Sequence, residues 1–379
     1  MRVGYSPPRE EVAMRFLWLV ALAVGCATDE EGSATTDSTT VPEPVELSDG
    51  WNIIEPGGET SCSRGAPFIF GVREGTVDRV VVEFIGGGAC WDEFSCGLAD
   101  AIFTDNADWL YSFEGQKGVA LGLYDETRAD NPIADYHHVL IPYCTGDIHW
   151  GDSEVTYGEG TPNEVTIKHK GAVNARAVLD WMAIQYPELE QVFLTGCSAG
   201  AYGSIMWAAH IAEMYPEADL VQMGDSGVGI ITDNWFQQSF PSWNAEASFP
   251  THIPGLDPAQ EDIADKDSAY LYQQVAGHYP DGRFSQFNTY MDATQVTYFQ
   301  YMGGGSQEEW TEALLDRIGT IEGTTDNFSS FIAPGQAHCI INTNEMYTLE
   351  SDGVLFVDWL SQMLDGEFPE SVDCDECTP

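Results

Sequence analysis

The sequence predicts an α/β fold with a predominantly parallel central sheet flanked by helices, and two stretches carry that prediction. The first is a short apolar, β-favouring run, Gln191-Val-Phe-Leu-Thr195, followed at once by Gly196-Cys197-Ser198-Ala199-Gly200 and an Ala-rich helical stretch to about Met214. The second is an early strand, Arg79 to Ile85, that runs straight into Gly86-Gly87-Gly88-Ala89-Cys90-Trp91. Strand, tight bend and helix in succession are the units from which parallel sheets are assembled.

The N-terminus reads as export machinery. Met14 and Arg15 precede an apolar run, Phe16 to Val24, too short to span a bilayer as a mature helix, so residues 1–26 are expected to be a signal peptide. The run ends in Ala23-Val24-Gly25-Cys26, which is similar to a bacterial lipobox with Ala23 where Leu is usual; the resemblance implies membrane attachment through a lipidated Cys26, and the alternative is a plain cleaved signal with an incidental cysteine and a secreted product. Residues 27–49 are rich in Thr, Ser, Glu and Pro without apolar periodicity, which predicts a solvated tether. One catalytic domain, residues 50–379, is expected to begin near Gly50-Trp51-Asn52.

Charge excludes one class of partner. The chain carries 61 Asp plus Glu against 14 Lys plus Arg, a formal net charge of −47, so its surface repels polyanions and offers no basic stripe for nucleic acid. The acidity is read as a means of staying soluble, in keeping with a salty exterior. Nine cysteines fit an exported protein. With Cys26 set aside, Cys90 and Cys96 are close enough to clip a loop and Cys374 with Cys377 pins or ends the tail, but spacing leaves the connectivity open. Cys374 and Cys377 have no second ligand pair nearby, so no metal and no cofactor is expected.

The chemistry follows from the two glycine-rich bends. In a G-x-S-x-G elbow the glycines remove Cβ atoms where strand and helix crowd, and the strained turn lifts the serine hydroxyl above the sheet, as in α/β-hydrolases. Ser198 is therefore the expected nucleophile. The glycines after the early strand let backbone amides face a reacting carbonyl, so Gly88 and Ala89, with Ala199 after the nucleophile, are the expected oxyanion donors.

This architecture orders its triad serine, acid, histidine. His338 follows a late strand, residues 327–333, and the loop Pro334-Gly-Gln-Ala337, where the base belongs; His252 and His278 lack a preceding strand. For the acid, Asp225 ends the strand Asp219 to Met223 and Asp292 follows the strand Arg283 to Asn288. The later position is the commoner one, so Asp292 is expected to be the acid and Asp225, in Gly224-Asp-Ser-Gly227, to order a loop beside the site.

Five ordered motifs now make a resemblance. Gly86-Gly-Gly-Ala-Cys-Trp-Asp92, Pro142-Tyr-Cys-Thr-Gly-Asp147, Gly196-Cys-Ser-Ala-Gly200, Asp225-Ser-Gly227 and Ala337-His-Cys339 resemble the pectin acetylesterase and Notum family, in its order, over roughly residues 61–364. The resemblance implies a secreted serine esterase with Ser198, Asp292 and His338 as its triad, Asp292 lying in Tyr-Met-Asp-Ala-Thr-Gln295. It also implies that Cys62 pairs with Cys144, Cys90 with Cys96 and Cys339 with a tail cysteine, leaving Cys197 free and buried behind the elbow. Plant and animal members place tryptophan within the oxyanion loop, whereas here Ala89 stands there and Trp91 comes two residues later.

The family removes O-acetyl groups from pectin in some members and a long unsaturated acyl chain from a signalling protein in Notum, so reaction class transfers better than substrate. Pectin is itself anionic and meets a −47 surface. A neutral acylated carbohydrate or a small acyl ester is an equally good expectation. The alternatives are a lipase or Notum-like long-chain deacylase, an amidase, and a non-catalytic carbohydrate-binding relative. Asp147-Ile-His149-Trp-Gly-Asp152 is read as tying down a loop, and His169 as a capping or packing group near the start of a helix from Val165 to Tyr186.

Overall fold

A computed structural model describes residues 43–98, 101–232, 235–374 and 377. The expected signal segment, Cys26 and most of the tether lie outside the described residues. Val45 is already tied to the body: its amide donates to Gln185 Oε1 at 2.9 Å and its carbonyl accepts Gln185 Nε2 at 3.1 Å.

The strands are β1 (Trp51–Ile54), β2 (Phe70–Arg73), β3 (Arg79–Phe84), β4 (His137–Ile141), β5 (Ser153–Tyr157), β6 (Val165–His169), β7 (Gln191–Cys197), β8 (Asp219–Asp225), β9 (Arg283–Thr289) and β10 (Phe328–Ala333). The helices are α1 (Glu93–Gly97), α2 (Gly171–Gln185), α3 (Ala199–Met214), α4 (Trp235–Trp243), α5 (Ser268–His278), α6 (Ala293–Tyr301), α7 (Gln307–Glu322) and α8 (Phe356–Leu364). The main sheet runs β1-β2-β4-β3-β7-β8-β9-β10. From β4 to β10 every neighbour is parallel, and only the β1–β2 and β2–β4 pairs are antiparallel. The predicted α/β fold and its parallel sheet are thus present.

Side-chain alternation explains why these near-continuous apolar runs are strands covered on both faces. Val80, Val82 and Phe84 of β3 point into one core with Leu194 of β7 and the apolar sides of α2, α3, α5 and α7. Val81, the residue between, joins Phe193, Val221, Met223, Phe287 and Phe331 in a second core covered by α8. Parallel strands send all their carboxyl ends to one edge, so the segments after β3, β7, β8, β9 and β10 meet there.

One expected element is corrected. Val165 to His169 is not the start of a helix but strand β6, paired antiparallel with β5, and the helix begins at Gly171. The β-branched Val165, Thr166 and Ile167 favour a pleated surface, and the local partner strand overrides the helical reading.

Candidate active site

β7 ends at Cys197 and α3 begins at Ala199, so Ser198 alone turns the chain, with φ 57° and ψ −121°. A non-glycine residue at positive φ is strained and persists only where its surroundings hold it. Here the Ser198 amide donates to the Asp225 carbonyl at 2.8 Å. A Cβ on Gly200 would collide with the Phe84 carbonyl, and one on Gly86 would stand 2.8 Å from Ser198 Cβ. The bare backbones are what allow the β3 loop and α3 to close on the serine. Ala199 opens α3, so its amide has no partner within the helix and sits at the positive end of the helix dipole.

His338 arrives from the loop after β10, and its Nδ1 lies 2.8 Å and 3.0 Å from the two carboxylate oxygens of Asp292. Asp292 is fully buried after β9 and caps α6, with Oδ1 accepting from the amides of Thr294 at 3.0 Å and Gln295 at 2.9 Å. The Gln295 side chain donates to Oδ2 at 3.1 Å. These bonds leave the carboxylate one orientation, facing the imidazole.

Asp225 is equally buried but turned elsewhere. Its Oδ2 accepts from the amides of Ile340 at 2.7 Å and Ile341 at 3.0 Å, and its Oδ1 from Ser226 Oγ at 3.0 Å. Ser226 Oγ in turn accepts from the Cys339 amide at 3.0 Å. Asp225 therefore holds the segment that follows His338, and burial pushes its carboxyl up to about 6. His252 and His278 are brought together in a group of their own with Glu213, not with Ser198.

The disulfides correct one expectation. Cys62–Cys144 and Cys90–Cys96 pair as the resemblance implies, and Cys374 pairs with Cys377. Cys197, however, is not free: it is bonded to Cys339, which therefore does not reach the tail. The residue before Ser198 and the residue after His338 come from the carboxyl ends of different strands, and the sheet brings their Cα atoms to 5.6 Å. Disulfides of this number mark a chain that folds outside the reducing cytosol. One consequence is measurable. The Cys197→Ser/Cys339→Ser variant should keep its far-ultraviolet dichroism while kcat falls, by up to about 10²-fold if the imidazole drifts by an ångström. Undiminished kcat in that variant would show the crosslink to be irrelevant to geometry.

Ser198, His338, Gly88, Ala89 and Ala199 all line one cleft. A ring nitrogen of His338 lies within 4.8 Å of the Cys197 and Cys339 sulfurs, which places the imidazole over the elbow. Gly88 has φ 76°, and a Cβ there would run into the Ile102 carbonyl and the Tyr298 hydroxyl. The rest of the wall is mostly apolar, including Trp91, Ile148, Ile230, Trp235 and Tyr298. Trp235 and Tyr298 were not legible beforehand because they arrive on α4 and α6. Tyr298 lies close after Asp292 in sequence, a weak signal at best, and donates to the Ile102 carbonyl. Trp91 packs edge-on against Trp235 at 5.3 Å.

The neighbouring polar groups brace this cleft. Asp147 accepts from Thr145 Oγ1 at 2.6 Å and from the amides of His149 at 3.2 Å and Gly171 at 2.8 Å. His149 Nε2 meets the Ile85 carbonyl at 2.9 Å, and burial pushes its imidazole down to about 4, so the ring stays neutral. His169, the last residue of β6, spans Thr145 O and Tyr157 Oη at 3.0 Å and 2.9 Å. Both histidines pack and tie loops.

A serine on a strained bend, an imidazole held by a buried carboxylate and a helix N-terminus at one cleft define the α/β-hydrolase class. A model of the pectinacetylesterase family matches residues 58–248, half of the chain, and the chain belongs to that family. Pectin acetylesterase 7 of Arabidopsis thaliana is 27% identical over 172 residues, 44% of this chain and 42% of that protein. Pectin acetylesterase 11 of the same plant is 27% identical over 170 residues, 43% of this chain and 41% of that protein. The match thus spans less than half the length of these curated relatives. The crystal structure of the Wnt deacylase Notum from Drosophila shares the fold, with a TM-score of 0.59 at 16% identity, covering 84% of this chain and 96% of that one.

Proposed function

We propose that the chain is a serine-dependent carboxylic-ester hydrolase that removes short O-acyl groups, acetyl foremost, from an acylated carbohydrate or a small ester. The observation that carries this reading is the Asp292 carboxylate on His338 Nδ1 in the cleft that holds Ser198. His338 Nε2 takes the Ser198 proton as Oγ adds to the ester carbonyl carbon, and Asp292 stabilises the resulting imidazolium and fixes its tautomer. The developing oxyanion is received by the amides of Ala199, Gly88 and Ala89. Collapse expels the alcohol, which takes its proton from His338, and leaves an acyl-serine. Water, deprotonated by the same imidazole, then hydrolyses that ester and restores the enzyme.

The family match sets the first expectation for acyl size. The cleft encloses about 550 Å³, part of it open to solvent, between mostly apolar walls. An acetyl group fits that space with ease, so acetyl esters come first in the reading, ahead of the long-chain esters of a lipase or deacylase. On a series of p-nitrophenyl esters, kcat/KM should be highest for acetate and fall about 10-fold or more once the chain outgrows the pocket. Acetate release from neutral acetylated polysaccharide should exceed release from acetylated pectin at low salt, the gap closing as salt screens the acidic surface. A preference for long chains, or no turnover of any ester, would defeat the reading. Attachment to a bacterial envelope through a lipidated Cys26 belongs to the same reading and rests on the sequence alone.

A further inference from the structure

Two of the eight histidines, His252 and His278, lie together on one side of the molecule, apart from the site above. His278 closes α5, His252 stands in the loop before it, and Glu213 lies in the last turn of α3. One donor atom from each of Glu213, His252 and His278 lies within 4.8 Å of the other two, and all three residues are exposed.

The His252 ring is already held by one nitrogen. Tyr279 Oη has a single proton to give and has the Ala209 carbonyl at 3.1 Å and Glu213 Oε1 at 3.2 Å to receive it. It therefore accepts from His252 Nε2–H at 2.8 Å, which leaves His252 Nδ1 with the free lone pair. An imidazole that donates through one nitrogen to a fixed oxygen and presents the other is the arrangement metal-binding histidines adopt, and the same hydroxyl orients the carboxylate.

We propose that Glu213, His252 and His278 form a binding site for a zinc ion, with water completing the tetrahedron. Two imidazoles and a carboxylate suit Zn²⁺, whereas Ca²⁺ and Mg²⁺ take oxygen donors almost alone. Exposed side chains can close the remaining gap by small rotations at their outer torsions. Electrostatics act in the same direction, since the net charge of −47 draws cations and the adjoining groove carries Glu217 and Asp281. The ion joins the far end of α3, the helix that follows Ser198, to the C-terminus of α5, so its effect is to staple two helices rather than to enter the ester chemistry.

The full chain, stripped with chelator and titrated calorimetrically with Zn²⁺ alone, should bind one ion with micromolar or tighter affinity and gain several degrees in thermal midpoint. His252→Ala and His278→Ala should each weaken binding by at least about 10–100-fold, by comparison with the cost of losing mere outer-shell partners. Glu213→Gln should weaken it less than either, and His338→Ala should leave it unchanged. The three surface substitutions remove exposed groups, so the melting curve of each metal-free variant checks that it folds. Failure of Zn²⁺ to saturate one site at micromolar concentration, or binding that survives His252→Ala and disappears in His338→Ala, overturns the proposal. Neither result bears on the esterase reading, which the Ser198 variant tests separately.

Discussion

Replacing Ser198 with alanine should lower kcat by about 10⁶ and leave the fold intact. Among the described residues the Ser198 hydroxyl makes no hydrogen bond that holds the structure; the bond that matters locally is from its amide to the Asp225 carbonyl, and alanine keeps it. Alanine and serine meet the same strain at φ 57°, so the thermal midpoint should stay near that of the parent. Initial rates on p-nitrophenyl acetate beside a melting curve give both quantities. Parent-like turnover by a folded Ser198→Ala protein would leave the mechanism without its nucleophile.

The next largest effect separates the two buried aspartates. Asp292→Asn should lower kcat by about 10⁴, because an amide facing Nδ1 favours the wrong tautomer and does not stabilise imidazolium. Asparagine is itself a good N-cap, so the start of α6, whose amides at Thr294 and Gln295 bond to Oδ1, survives the change. Asp225→Asn should act in the opposite proportion. It disturbs the bonds from Ile340 and Ile341 to Oδ2, with about 1–3 kcal/mol lost for each buried donor left without an acceptor, and slows turnover only by letting the His338 loop shift. The paired measurement is kcat against thermal midpoint for both variants. A larger kcat loss in Asp225→Asn than in Asp292→Asn would reverse the assignment of roles.

Much of this architecture was legible because its signals are local. The strand, elbow and helix around Ser198 lie within one unbroken stretch, and β3 with its glycines is another, so period, β-propensity and backbone freedom were enough to place both. The order of later strands likewise ranked Asp292 above Asp225 as the neighbour of His338, and the carboxylate found on Nδ1 is that of Asp292. The reading failed at Val165 to His169, where apolar residues could be counted into the following helix and only the partner strand β5 decides otherwise.

Sequence by itself determined the class of fold, the bend that carries Ser198 and the segment that supplies His338, since each is set by residue type within a few neighbours. Tertiary structure alone decided that Cys197 bonds Cys339, that Trp235 and Tyr298 wall the cleft, and that Glu213, His252 and His278 converge. Those are meetings between segments far apart along the chain. They depend on which loops a parallel sheet delivers to the same edge and on how the helices pack over it, and spacing along one dimension carries no record of that.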